Sequence, residues 1–174
     1  AANFRRSIGA WAGQPVDPWI KDVVRTAKAH LNNETIEEVT VVKVPEHLKG
    51  ESRKLYVKGA EIYGREGHCA TCHQPDGEGL ALSGFPPLSR SSWVDQDEER
   101  LIKLTLKGLV GPLELSGKKY PGLTPMTPLG GMLSDEEVAA VLTYVRNSFG
   151  NRAPMVTAAK VKQVREATKS KVDF

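Results

Sequence analysis

A long hydrophobic run is missing from this 174-residue sequence, and so is a strong excess of charge. No apolar stretch approaches the ~20 residues of a membrane-spanning helix, so we expect no transmembrane segment. The net charge of +3 is too small to indicate a nucleic-acid partner. The N-terminal stretch AANFRRSIGAWAG lacks a signal-peptide core and does not begin with Met. We therefore expect a processed product or an excised fragment, from which any export signal would be missing.

Cysteine is scarce as well, since the chain contains only Cys69 and Cys72, within GHCATCHQPDGEG. A disulfide between them would close a very short loop and would stabilise the fold little. A zinc site of the usual type needs four Cys or His ligands, and there is no second cysteine pair to complete it. A thioredoxin-like redox pair belongs on a strand–helix–strand framework, which the flanking sequence does not show.

His73 directly follows Cys72, and this C-x-x-C-H pattern favours a fourth possibility, which is covalent haem. Two thiols can then form thioethers to the porphyrin while the adjacent histidine reaches the iron from the same turn. An incidental C-x-x-C pair is the alternative. The pattern occurs once, so the sequence predicts one haem.

Three methionines, Met126, Met132 and Met155, are the candidates for a sixth iron ligand. Methionine sulfur often fills this position when the function is electron transfer. Met126 lies in GLTPMTPLGG, where Pro125 and Pro128 restrict the backbone. We therefore predict Met126 as the ligand, Met132 as a packing residue at a helix entrance, and Met155 as a surface or core residue.

Two helices are predicted on either side of these segments. The first lies in SRKLYVKGAEIYGREG, with Leu55, Gly59, Ile62 and Tyr63 on one side. A glycine in mid-helix costs up to ~1 kcal/mol relative to alanine, and close approach of another helix would explain Gly59. The second helix begins at the capping box of Ser134 and Glu137. Its predicted apolar stripe is Val138, Val141, Leu142 and Val145, and its predicted stop is Gly150 and Asn151.

The chain from about Glu51 to Arg152 resembles a class I c-type cytochrome domain. Gly59 and Tyr63 resemble the glycine and the aromatic residue of that family's N-terminal helix, and Tyr144 resembles their partner on its C-terminal helix. CATCHQPDGEG is similar to the haem attachment motif with its glycine turn. FPPL, residues 85–88, is similar to the loop whose proline carbonyl holds the proximal histidine. The stretch SSWVDQDEERLIKLTLKGLVGPLELSGKKY is similar to haem domains that serve quinoprotein or copper oxidoreductases or are fused to them.

The resemblance implies an all-α class I cytochrome c fold, in which the N- and C-terminal helices cross and haem occupies a loop-lined crevice. Helical extensions flank this core. One haem c is implied, bound through two thioethers, with His73 and Met126 as axial ligands and the Pro86 carbonyl as the acceptor for His73. The candidate haem-contacting residues are Cys69, Cys72, His73, Pro86, Leu88, Trp93, Tyr120 and Met126.

Several of these side chains could have an ordinary structural role instead of a contact with haem. Trp93 either packs on the haem, donates its indole N–H to a propionate, or is an ordinary core tryptophan. Tyr120 and Lys118 are candidates for the haem edge, although a solvated surface position is the expectation for Lys118. The remaining histidines, which are His30, His47 and His68, are expected to be ordinary surface residues, with His68 directed away from the iron.

The sequence divides into three predicted parts. Residues 1–50 form an N-terminal extension, with a helix over about 18–32 and then an extended arm in VTVVKVP. Residues 51–152 form the monohaem domain. Residues 153–174 form a helical tail capped by Thr157, with five Lys or Arg against two Asp or Glu. That excess predicts a solvated cationic face or, alternatively, a surface for an acidic partner.

These features predict an electron carrier, not an enzyme, in which the iron cycles between Fe(III) and Fe(II). The expected partner is a redox protein or a fused dehydrogenase or reductase domain, in the periplasm or another extracytoplasmic compartment. A dihaem peroxidase would need a second C-x-x-C-H motif. A haem sensor or enzyme with an open sixth position is the alternative, and a purely structural haem would leave the stiff Met126 loop unexplained.

Overall fold

Two long helices, one before the C-x-x-C-H motif and one after the Met126 loop, form the centre of the fold. The computed structural model describes residues 42–65 and 68–169. The predicted helix at about 18–32 lies outside these residues, and so do residues 39–41 of the predicted arm. The described helices are α1 (Gly50–Gly64), α2 (Cys69–His73), α3 (Ser92–Asp95), α4 (Glu98–Lys107), α5 (Asp135–Val145) and α6 (Ala158–Ala167), with a 3-10 turn at Ala81–Ser83 and strands β1 (Leu113–Leu115) and β2 (Lys118–Tyr120).

The mostly helical architecture confirms the predicted all-α class, but the small hairpin was not predicted. Strands β1 and β2 pair antiparallel, with Leu113 opposite Tyr120. Ser116 and Gly117 form the two-residue connection, and both have positive φ angles of 51° and 76°. Such angles suit the tight turn whose twist matches a hairpin. The Ser-Gly pair is therefore the turn signal that the sequence contains for this hairpin.

Helix α1 packs directly on α5, and Gly59 is the point of closest approach. A Cβ atom added at Gly59 would lie 2.7 Å from the Cβ atom of Tyr144 and would also collide with the backbone of Ala140. This confirms the predicted contact between Gly59 and the later helix. Aromatic rings fill the space beside it, since the Tyr144 ring centroid lies 5.0 Å from that of Tyr56 and 5.3 Å from that of Tyr63.

The N-terminus of α5 has the predicted capping box. The Glu137 N–H donates to Ser134 Oγ at 3.2 Å, and the Ser134 N–H donates to Glu137 Oε2 at 3.1 Å. Glu137 also accepts from Arg65 Nη1 at 2.9 Å, which ties the end of α1 to the start of α5. The guanidinium holds the pKa of Glu137 below its usual range, and the cap hydrogen bond acts in the same direction.

Helix α5 is buried on more than its predicted stripe. Ala139, Ala140 and Thr143 are fully buried together with the predicted apolar positions. The reason is that α1 covers one face while α6 covers another. The polar Thr143 side chain is tolerated inside the core because its Oγ1 accepts a hydrogen bond from the Val156 N–H at 3.0 Å.

The predicted stop of α5 at Gly150 and Asn151 is too late, because the helix ends at Val145. Two buried asparagines satisfy its last carbonyl groups. Asn147 Nδ2 donates to the Thr143 carbonyl at 3.0 Å, and Asn151 Nδ2 donates to the Val145 carbonyl at 3.0 Å. Side-chain donors of this kind replace the helical hydrogen bonds and let the chain turn earlier.

Helix α6 begins at the predicted cap, since the Lys160 N–H donates to Thr157 Oγ1 at 3.2 Å. It packs on α5 and α4 through Val161 and Val164, which are both buried. Two of its cationic groups are paired within the fold, because Lys160 contacts Glu99 and Arg165 contacts Asp135. The described residues therefore all belong to one compact unit. No helix among residues 42–65 and 68–169 has the length and apolar character to cross a membrane.

We expect Gly59→Val to lower the free energy of unfolding by ~1–3 kcal/mol, because the new side chain overpacks the contact with α5. A urea titration monitored by circular dichroism measures the change. Gly64→Val is the matched control, since it places the same residue in α1 where a Cβ atom meets nothing within 4 Å. Equal losses at the two positions would contradict the close-approach role of Gly59.

Candidate functional site

The C-x-x-C-H motif forms α2, a single short helix that begins at Cys69. Residues three and four positions apart share one face of a helix, so Cys69, Cys72 and His73 project together. All three side chains are partly buried, and all three line one crevice. The two cysteines do not form a disulfide with each other.

His73 is held by the loop that the FPPL sequence forms. Its Nδ1 donates to the carbonyl oxygen of Pro86 over 2.9 Å, which leaves Nε2 as the available nitrogen. Burial lowers the pKa of His73, and the Pro86 hydrogen bond opposes that shift. The ring is therefore neutral near pH 7, and neutral imidazole is the form that binds metals. A hydrogen bond of this kind fixes the tautomer and the orientation of a ligating ring.

The glycine turn after α2 brings the Pro86 carbonyl beside His73. The Gly79 N–H donates to the His73 carbonyl at 3.0 Å, and the Gly77 carbonyl accepts from the Leu88 N–H at 2.7 Å. Gly79 has a φ of +65°, and an added Cβ atom would lie 2.6 Å from the Pro86 oxygen. Only glycine permits this backbone conformation and this close approach together.

Met126 is held in the same crevice through its backbone. Its N–H donates to the Leu109 carbonyl at 2.9 Å, and the Leu109 N–H donates back to the Met126 carbonyl at 3.3 Å. The Met126 side chain is partly buried and lines the crevice that His73 also lines. Pro125 and Pro128, predicted from the sequence to stiffen this segment, flank a residue that is also pinned by two main-chain hydrogen bonds.

The crevice encloses about 780 Å³ of empty space, which includes its opening to solvent. Its apolar walls include Phe85, Leu109, Leu113 and Leu129, none of which was predicted as a site residue. Leu109 and Leu113 flank the Gly-Pro break after α4, and this interruption of an apolar run was the available signal.

Three of the predicted haem-contacting residues do not line the crevice. Leu88 packs against the hydrophobic core, and its carbonyl accepts from Asn151 Nδ2 at 2.8 Å. Trp93 lies 4.8 Å from the Arg100 guanidinium, measured to the ring centroid. Tyr120 is buried on β2, where the Lys118 ammonium lies 5.4 Å from its ring centroid. Their contacts with a haem stay predictions.

Two expectations about other side chains are wrong. His68 is not an ordinary surface residue, because it directly precedes α2, is partly buried and lines the crevice. Met132 does not pack at the helix entrance, since its side chain is 58% exposed while Leu129 and Leu133 are buried there. His47 is exposed as expected and lies within hydrogen-bond distance of Asn147. Met155 lies at the surface, and His30 falls outside the described residues.

The donor set in this crevice fits a covalently attached haem. Two thiols, an imidazole nitrogen and a thioether sulfur line one largely apolar space. Burial raises the pKa of the Cys69 thiol to about 11. Within residues 42–65 and 68–169, no group of three or more His, Cys, Asp and Glu side chains is placed to hold a metal ion. The site therefore suits an iron porphyrin better than a bare metal ion.

The sequence is similar to those of several known proteins. The family model described as Cytochrome c matches residues 56–149. Cytochrome c-552 of Thermus thermophilus is 35% identical over 116 residues, which cover 62% of this chain and 83% of that protein. The cytochrome c subunit of alcohol dehydrogenase (quinone) from Gluconacetobacter polyoxogenes is 36% identical over 112 residues, or 63% of this chain and 23% of the subunit. The fructose dehydrogenase cytochrome subunit of Gluconobacter japonicus is 35% identical over 112 residues, or 64% of this chain and 22% of the subunit.

The family match spans more than half of the chain and contains the C-x-x-C-H motif, Pro86 and Met126. The similarity to the dehydrogenase subunits covers less than a quarter of their length, so it concerns one segment of those proteins. The chain therefore belongs to the cytochrome c family, and this membership implies covalently bound haem c and electron transport rather than enzymatic turnover.

Proposed function

We propose that this chain carries one haem c, attached through Cys69 and Cys72 and ligated axially by His73 and Met126. It passes electrons between an extracytoplasmic oxidoreductase and a second redox carrier. The observation that carries this proposal is the convergence of both thiols, His73 and Met126 on a single apolar crevice. Residues 51–152 are the proposed haem domain, although α6 beyond it packs on the same core.

Each protein donor has its own structural support. Pro86 orients His73 from behind, which directs Nε2 away from that hydrogen bond. Leu109 holds the backbone of Met126 on both its N–H and its carbonyl. Phe85 and Leu129 provide apolar walls that exclude water from the donors. When bound, haem c supplies an iron that gains and loses one electron. A site whose ligands are already in place needs little rearrangement between the two oxidation states.

Relatives that resemble this chain support a proposal about its partner. Several of them are cytochrome subunits of dehydrogenases, including one that bears the name alcohol dehydrogenase (quinone). We infer that a dehydrogenase subunit or domain delivers the electron to this chain. Covalent haem attachment to this motif takes place outside the cytoplasm in bacteria, so the proposed location is the periplasm or another extracytoplasmic compartment.

We expect Cys69→Ala and Cys72→Ala each to remove one thioether, and the double variant to lose covalent haem altogether. Mass spectrometry of the polypeptide after acid–organic extraction measures the retained haem and also its number. Thr71→Ala is the matched control, because Thr71 lies between the cysteines on α2 and is exposed. Complete extraction of haem from the unmodified protein would contradict attachment at this motif.

We expect Met126→Ala to lower the reduction potential and to let the reduced protein bind carbon monoxide. The reason is that thioether sulfur is a soft ligand that favours Fe(II), and its loss opens a coordination position. Potentiometric titration and the absorption spectrum under carbon monoxide measure the two effects. Met132→Ala is the control, since Met132 is exposed and does not line the crevice.

The alternative function, a haem sensor or enzyme with an open sixth position, makes the opposite prediction for the unmodified protein. If the reduced protein already binds carbon monoxide readily, and if Met126→Ala leaves its spectrum unchanged, the ligation by Met126 is wrong. The electron-carrier proposal would then give way to that alternative.

A further inference from the structure

Arg165, on α6, connects the C-terminal helix to the segment that follows Met126. Its Nε donates to Asp135 Oδ1 at 2.7 Å, and its Nη2 donates to the Leu133 carbonyl at 2.9 Å. Its Nη1 donates to the Gly130 carbonyl. A guanidinium offers five donors in a rigid planar fork, so one side chain can fix three points along residues 130–135.

The Met126 segment is also held on its other side by α4. The Leu129 N–H donates to the Thr105 carbonyl at 2.9 Å, and the Gly130 N–H donates to the Leu106 carbonyl at 3.1 Å. Gly130 is therefore held on both its backbone groups, with α4 accepting from its N–H and Arg165 donating to its carbonyl. Loss of Arg165 would leave α4 as the support of Gly130 and would leave the Leu133 carbonyl without this donor.

Helix α6, which carries Arg165, is itself packed firmly against the rest of the fold. Val161 and Val164 are buried against the core, and Thr168 is buried one turn after them. Lys160 of α6 also pairs with Glu99 of α4 at 3.3 Å. This ion pair connects the two helices that hold the Met126 segment. Arg165 itself lies beyond residues 56–149, the part of the chain that matches the cytochrome c family. The contact is thus made by a part of the chain outside the shared haem domain.

We propose that α6 clamps the Met126 loop and that Arg165 is the positioning residue that keeps Met126 in the crevice. The inference rests on the proposed ligation by Met126. The hydrogen-bond partners of Arg165 are Gly130, Leu133 and Asp135, none of which lines the crevice. Arg165 therefore acts by restraining the backbone between Met126 and α5. A clamped loop opens rarely, so an external ligand that must replace Met126 gains access slowly.

The test measures the rate at which cyanide binds to the oxidised protein with its haem in place. We expect Arg165→Gln to raise that rate by about tenfold. Loss of one hydrogen bond to a charged group makes loop opening easier by about that factor. Lys162→Gln is the matched control, because it removes the same charge from an exposed position of α6. Arg165→Lys keeps the charge but reaches fewer acceptors, so its rate should lie between those of Arg165→Gln and the unmodified protein.

A loss of overall stability must be separated from the opening of one loop. Ile62→Val removes a methyl group from a fully buried side chain in α1, outside residues 126–135, and lowers the unfolding midpoint. If Ile62→Val raises the cyanide rate as much as Arg165→Gln does, the clamp is overturned. The same conclusion follows if Arg165→Gln behaves like Lys162→Gln.

Failure of the clamp and failure of the Met126 ligation give different results. If the unmodified protein binds cyanide as fast as Met126→Ala does, the ligation itself is wrong and the clamp falls with it. If Met126→Ala binds cyanide much faster than the unmodified protein while Arg165→Gln does not, the ligation stands and only the clamp is wrong. A faster rate in Arg165→Gln and in Met126→Ala, with slow binding in Lys162→Gln and Ile62→Val, supports both.

Discussion

The close packing of α1 on α5 at Gly59 is the constraint on which the site depends. Helix α1 runs almost directly into the C-x-x-C-H motif, and α5 begins directly after the Met126 loop. Fixing the two helices against each other therefore fixes both halves of the crevice. The Tyr63 hydroxyl strengthens this link, since it donates to the Gln74 carbonyl at 2.6 Å, immediately after His73. A side chain larger than hydrogen at Gly59 would push the two halves apart.

The site donors are supported mainly by backbone groups of neighbouring loops. His73 donates to a proline carbonyl, and Met126 pairs with the main chain of Leu109. Backbone partners are held by the fold itself and carry no rotamer freedom, so the donors keep their places with little entropic cost. This arrangement suits a carrier that must change oxidation state without changing ligands.

Acidic residues in the first turn of α5 link three separate parts of the chain. Glu137 caps the helix and pairs with Arg65 at the end of α1, while Asp135 pairs with Arg165 on α6. Negative charge at this end of a helix is favoured by its dipole, so the two carboxylates serve the helix and the tertiary contacts together. The start of α5 is also the end of the Met126 segment. The same ion pairs therefore connect the stability of the helix bundle to the position of the proposed ligand.

Local patterns in the sequence determined the attachment motif, the capping box at Ser134, the cap at Thr157 and the glycine contact at Gly59, because each depends on residues close in the chain or on one steric property. The tertiary structure alone decided which residues line the crevice. Leu109 pairs with Met126, and Arg165 donates to the Gly130 carbonyl, although the partners lie far apart in the sequence. No periodic pattern in the sequence predicts such contacts. Leu88, Trp93 and Tyr120 were candidate haem contacts, and the contacts they make with the core, Arg100 and Lys118 were invisible in the sequence. The end of α5 was also misplaced, since two asparagine side chains, folded back onto its carbonyls, stop it before the glycine that the sequence offers. Contacts between distant segments depend on how every helix packs at once, and that is why they appear only in the folded chain.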